Sequence, residues 1–195
     1  MSANKPISYN RVSLRPLTRW DVGRLEFLLT RDRDWLSPWE ATTPGIRFAL
    51  DVRWMVKSLI SQARKGNGLA FAIEYEGELV GQLNVANILY GSVSSATIGY
   101  WIAKEFAGRN ITPTAVALAI DYLFNVVQLH RVEIDIRPEN AASLRVVEKL
   151  GLRLEGTKER FIHIDGEFRD HKIFAITKEE LKAPMVTRLS NTQGQ

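Results

Sequence analysis

The chain has 195 residues, 45% of them hydrophobic, with 26 Lys and Arg against 22 Asp and Glu, a formal charge of +4 and a pI near 9.4. That length and apolar content suffice for one self-sufficient domain, and the absence of cysteine excludes disulfides and thiolate metal sites. The mild basicity is that of an ordinary solvated surface and identifies no nucleic-acid site; no stretch approaches the ~20 apolar residues of a spanning helix, and nothing near Met1 resembles a leader, so a cytoplasmic protein without a membrane role is expected.

In chain order, Val12 to Leu17 reads as a short strand and Trp20 to Leu29 as a helix with Thr18 as N-cap. A loop with Trp35, Pro38, Trp39 and Glu40 follows, then a helix from about Leu50 to Lys65, stopped at Gly66. Ala70 to Tyr75 and Leu79 to Val85 flank Glu76-Gly77 as a hairpin, and Thr97 to Ile102 is the next strand. The spacing of Ala115, Leu118, Ala119, Tyr122, Leu123 and Val126 predicts a helix that starts at Pro113, is capped by Thr112 and buries one face. Val132, Ile134 and Ile136 alternate with Glu133 and Asp135 as a half-buried strand; a helix runs from about Asn140 to Leu150, and Gly151 ends it. Arg160 to Ile164 and Phe168 to Thr177 form a last hairpin around Asp165-Gly166, before a loose polar tail. Alternation of element types without repeats predicts a single α/β sandwich, with helices on both faces of one sheet.

Two segments carry chemistry. The strand ending near Ile102 delivers the chain into Ala107-Gly108-Arg109-Asn110, which opens a helix. Free main-chain N–H groups and the helix dipole converge there, Gly108 admits a ligand close to the backbone, Asn110 tolerates left-handed geometry, and Arg109 adds positive charge. A pyrophosphate fits such a turn. Arg137-Pro138-Glu139-Asn140-Ala141-Ala142-Ser143 again joins a strand to a helix, so two neighbouring crossovers present polar groups at the strand ends where ligands of open α/β sheets sit.

Ala107-Gly108-Arg109-Asn110-Ile111-Thr112, followed by Asn140-x-x-Ser143 and Lys149-Leu150-Gly151, resembles the acetyl-CoA site of the GNAT superfamily of N-acetyltransferases. Trp35-Leu36-Ser37-Pro38-Trp39-Glu40, Gly99-Tyr100-Trp101-Ile102 and Ile164-Asp165-Gly166-Glu167-Phe168-Arg169-Asp170-His171 are similar to segments of its RimJ type, the ribosomal-protein-alanine N-acetyltransferases. The family loop prefers Arg or Gln and glycines where Ala107, Asn110 and Thr112 stand here. The resemblance implies a mixed, mostly antiparallel sheet of about seven strands with about four helices, a domain over residues 11–180, an extension over 1–10 and a polar tail over 181–195. It also implies acetyl-CoA as co-substrate without a metal, bound by Ile102, Gly108, Arg109, Asn110, Ile111, Thr112, Asn140 and Ser143.

The implied reaction is direct attack of an amine on the thioester. The Ile102 N–H would hold the carbonyl oxygen, Ser143 would donate to the thiolate, and Trp35, Trp39 and Glu40 would border the acceptor, with Glu40 relaying a proton. Ser143 also reads as a hydroxyl bonding local backbone and Asn140 as a plain N-cap. Glu133 and Asp135, on the polar face of their strand, are expected to be solvated or paired, and His163 structural. An α-amine is about a tenth to a fifth neutral at pH 7, a lysine far less, which favours a protein N-terminus, of a ribosomal protein in the subgroup. A monomer or homodimer is expected. A small-molecule acceptor (aminoglycoside, polyamine or amino acid) and a non-catalytic CoA-binding protein remain as alternatives.

Overall fold

A computed structural model describes residues 5–45 and 51–190. Eight strands form one sheet in the order β1-β2-β3-β4-β5-β6-β8-β7, antiparallel throughout except for β5 and β6. The strands are β1 (Ile7–Tyr9), β2 (Val12–Pro16), β3 (Leu69–Tyr75), β4 (Glu78–Leu89), β5 (Ser95–Ile102), β6 (Arg131–Ile136), β7 (Arg153–Ile164) and β8 (Glu167–Thr177). Helices α1 (Val22–Arg31), α2 (Arg33–Leu36) and α3 (Val52–Arg64) precede β3; α4 (Ile111–Asn125) joins β5 to β6, α5 (Ala141–Leu150) joins β6 to β7, and α6 (Thr187–Ser190) ends the described chain. The expected start of α3 at Leu50 lies outside the described residues.

The sheet carries a core on each face, and β3 shows why. Its Phe71 and Ile73 pack with Leu14, Leu83, Ile98, Ile134, α4 and α5, whereas Ala70 and Ala72 pack on the opposite side with Leu17, α1 and α3. The Glu76-Gly77 turn has φ of 54° and 85°, the left-handed pair a two-residue hairpin requires. Thr18 and Asp21 form a capping box on a short 3-10 turn that feeds α1.

Five expectations change. Residues 7–9 pair with β2, so the sheet begins inside the segment expected to be an extension. Helix α4 starts at Ile111 rather than Pro113: Asn110, at φ 59°, precedes it, and its carbonyl accepts the Thr114 N–H at 3.2 Å and the Thr114 hydroxyl at 2.8 Å. That helix is buried nearly all round because α5 and the C-terminal segment cover the side away from the sheet. Strand β7 starts at Arg153; as the outer strand it lies largely exposed, so its charged sequence shows no apolar alternation. The tail is not loose as far as residue 189: Met185 is fully buried, Asp121 accepts the N–H groups of Met185 and Val186 at 2.7 and 3.3 Å, and Arg188 donates to the Leu150 carbonyl at 2.6 Å.

Candidate active site

Strands β5 and β6 run parallel only over Ser95 to Thr97 and Arg131 to Glu133. Beyond that, β5 stays with β4 as far as Ile102 and β6 stays with β8 as far as Ile136, so the sheet opens into a wedge between them. The Ala103 N–H donates to the Val80 carbonyl at 2.8 Å. Main-chain groups alternate sides along a strand, so the N–H and C=O of Ile102 face away from β4 and toward the wedge. Trp35 Nε1 donates to that carbonyl at 3.2 Å, which leaves the neighbouring Ile102 N–H as a main-chain donor on the same side.

On the side of α4 and α5 the wedge widens into a cleft of about 690 Å³. Gly108, Asn110, Ile111, Thr112, Asn140 and Ser143 all line it, as do Trp35, Trp39, Glu40 and Ile102. Gly108 adopts φ 80° and Asn110 φ 59°, turning the chain so that the first turn of α4 opens on the cleft. Asn140 Oδ1 accepts the Ser143 N–H at 3.0 Å, which caps α5 while keeping Asn140 at the cleft wall. The cations of the cleft come from α5 rather than from the loop. Arg145 and Lys149 line it, with Lys149 Nζ donating to Asn110 Oδ1 at 2.5 Å, whereas Arg109 is absent from the lining and lies 5.3 Å from the Phe106 ring centre.

A narrower slot of about 170 Å³ passes through the wedge, lined among others by Trp39, Gly99, Tyr100, Asp135, Ser143 and His171. Contrary to expectation Asp135 is neither solvated nor well paired. Its side chain is only 10% exposed, Oδ1 has no hydrogen-bond partner among the described residues, and the nearest cation, Lys158 Nζ, lies 3.8 Å away. Burial pushes its carboxyl pKa up, Lys158 opposing, because the ionised form loses water that nothing replaces. His171, also buried, sits two residues along β8 from the partner of Asp135; its Nδ1 is 3.0 Å from the Arg169 carbonyl, which only accepts, so that nitrogen carries a proton. The Tyr100 hydroxyl is enclosed beside Ser143, and burial pushes its pKa up to about 12, the Ser143 hydroxyl opposing.

The other proton-handling candidates are engaged. Glu40 is ion-paired with Arg33 and lines the wide cleft but not the slot. Glu133 accepts from Arg131 at 2.7 Å; His163 pairs through Nδ1 with the Thr42 hydroxyl at 2.7 Å and packs on Phe168. Trp39 is held from above by Arg137, 5.4 Å from its ring centre, and Arg137 in turn donates to the Pro38 carbonyl at 2.7 Å. Sequence reasoning named Asp135 but discounted it, and it missed Tyr100 and His171 as site residues. Only the cross-strand register of β6 with β8 and the early end of the β5–β6 pairing bring these three together.

The family described as acetyltransferase (GNAT) domain matches residues 11–153. The chain is 37% identical over 101 residues to the probable N-acetyltransferase YjcK of Bacillus subtilis, a match spanning 52% of this chain and 56% of that protein. It is 27% identical over 175 residues to the [ribosomal protein uS5]-alanine N-acetyltransferase of Escherichia coli, over 88% of this chain and 90% of that one. Among solved structures, RimJ of Mycobacterium smegmatis in complex with CoA-disulfide superposes with a TM-score of 0.90 at 37% identity, over 97% of this chain and 93% of that one. A wedge between two parallel strands, a left-handed loop opening a helix beside it and these likenesses together establish that the chain belongs to the GNAT acetyltransferase family and is an acetyl-CoA-dependent N-acetyltransferase of the RimJ type.

Proposed function

We propose that the chain acetylates a free α-amine at a protein N-terminus, a ribosomal protein being the acceptor its E. coli relative's name suggests. The observation that carries this is the Asp135 carboxylate in a narrow slot, its Oδ1 without a hydrogen bond and only the distant Lys158 ammonium, at 3.8 Å, opposite it. One buried negative charge matches one ammonium, and about 170 Å³ admits a small first residue more readily than a polycation or a sugar antibiotic.

In this reading acetyl-CoA lies in the wide cleft, its phosphates over the first turn of α4 and the cations Arg145 and Lys149, and the acceptor enters the slot from the opposite face between Trp39 and His171. The Asp135 carboxylate takes the ammonium proton. The freed nitrogen lone pair attacks the thioester carbon, the Ile102 N–H holds the carbonyl oxygen as it gains charge, and the carbon–sulfur bond breaks. Ser143, beside the Tyr100 hydroxyl, donates a hydrogen bond to the departing thiolate, which takes the amine's second proton to leave as the CoA thiol, and Asp135 returns the first proton to solvent. Trp35 fixes the strand end that carries the Ile102 donor, and Glu40 holds the Trp39 loop through Arg33.

A peptide array tests the acceptor: free N-termini of Ala, Ser, Thr and Met against internal lysine, spermidine and an aminoglycoside. Acetylation of Ala- or Ser-initiated peptides is the expected result, and exclusive acetylation of polyamines or antibiotics overturns the reading. Ser143→Ala is expected to lower kcat by about 10-fold or more with the dissociation constant for CoA unchanged; undiminished turnover removes Ser143 from the reaction.

A further inference from the structure

The site leaves unexplained a second concavity, on the outer side of the helical layer formed by α1 and α3. This groove, of about 870 Å³, is lined by Arg19, Trp20, Glu26, Arg53, Lys57 and Arg64 among others, four cations against one acid. Arg53, Lys57 and Arg64 fall on one stripe of α3, at i, i+4 and i+11. Several arginines elsewhere on the described surface are matched with acids: Arg15 with Asp21 and Glu74, Arg24 with Glu78, Arg31 with Asp32 and Glu105, and Arg131 with Glu133 and Glu155. Among the described residues none of the four groove cations has an acidic partner, so the groove holds uncompensated positive charge.

A large aromatic ring stands at the same place. Trp20 is 81% and Trp54 67% exposed, and the Arg19 guanidinium lies 4.9 Å over the Trp20 ring. A tryptophan held almost wholly in water gives the fold little, and Trp20, in the lining of a charged trough, marks a surface made for contact. Two occupants combine negative charge with affinity for indole faces: a polynucleotide strand and an anionic bilayer. The shape discriminates between them. The cations line a concave trough between two helices, which suits a linear polyanion, whereas a flat bilayer meets rings and cations on a convex face. Free base faces are needed to stack on Trp20, so the strand is single.

We infer that the groove between α1 and α3 binds single-stranded RNA, phosphates along Arg53, Lys57 and Arg64 and a base on Trp20. The choice of RNA among single strands rests on the proposed ribosomal acceptor. The groove then acts as an anchor that holds the enzyme on ribonucleoprotein while the slot engages a nearby N-terminus.

Fluorescence polarisation of a labelled oligouridylate with the full chain tests this. Binding is expected at low salt, with a logarithmic salt slope of about −2, corresponding to three phosphates. The double variant Arg53→Glu with Lys57→Glu should lose at least about 10-fold in affinity, and Trp20→Ala about 5-fold or more. Both leave acetylation of a free peptide unchanged, since neither reaches the cleft or the slot. No polarisation change at low salt, or variants that bind like the parent, overturns the inference. So does tighter binding to single-stranded DNA or to phosphatidylserine vesicles, or a self-association in sedimentation that Trp20→Ala abolishes. RNA binding lost in the variants while no peptide is acetylated supports the groove and counts only against the acceptor reading.

Discussion

Asp135 is stabilised by almost nothing: a lysine at 3.8 Å, no hydrogen bond to Oδ1, and a wall of protein where water would be. Such an arrangement survives when the group has a use for the proton it is reluctant to release. The fold raises its pKa, so the native state binds that proton more tightly than the unfolded chain, and ionisation at neutral pH costs stability. Asp135→Asn is therefore expected to melt at a higher temperature than the parent at pH 7, with the difference closing as the pH falls through the unfolded value of about 3.9. The same substitution should lower kcat by about 100-fold or more and abolish the acidic limb of the pH–rate profile. Parent-like turnover, or a lower melting temperature at pH 7, rejects this account. Sequence alone placed Asp135 on the polar face of its strand, which is correct; that this face closes over at the wedge depends on neighbours β5 and β8.

At the scale of elements, local chemistry predicted what local chemistry controls. The Glu76-Gly77 hairpin, the Asn140 cap of α5 and the Gly151 stop, at φ 65°, were legible because each is set by residues a few positions apart. Strand β7 was only half legible, since an outer strand has little apolar pattern to display and its register shifts near Gly156 and before Ile162. What β7 has instead is a charge ladder. Glu155 accepts from Arg131 at 3.0 Å and from Arg153 at 2.6 Å, and those contacts, Arg131 foremost, pull its pKa down to about 2 against desolvation. A depressed carboxyl stabilises the fold above its unfolded pKa and loses that contribution as the pH falls to the folded one. Glu155→Gln should accordingly cost about 1 kcal/mol at pH 7, after discounting for partial exposure, and nothing near pH 2. Thermal unfolding at the two pH values decides this, and an equal loss at both would mean packing rather than charge.

For the whole molecule, the two faces of the sheet have different work. One core holds α4 and α5, which line the wide cleft; the other holds α1, α2 and α3, which adjoin the Trp39 loop and the basic groove. The C-terminal segment belongs to the first, because Met185 is fully buried against it and Asp121 takes its N–H. Met185→Ala should lower stability by about 3 kcal/mol, roughly 10 °C in melting temperature, with the Michaelis constants unchanged; a neutral effect would mean that the tail is dispensable. The overall polarity of the tail hid this, since Met185, Val186 and Leu189 are too few to make a periodic signal.

The slot through the wedge has a kinetic consequence. In the proposed arrangement the two substrates approach from opposite faces and meet in the gap between β5 and β6, so neither must depart to admit the other, and no protein group needs to carry the acetyl unit in between. Initial-rate plots at varied concentrations of both substrates should intersect, and no acetylated form of the protein should accumulate when acetyl-CoA is supplied alone. Parallel lines would mean that the opening is a passage for one molecule at a time.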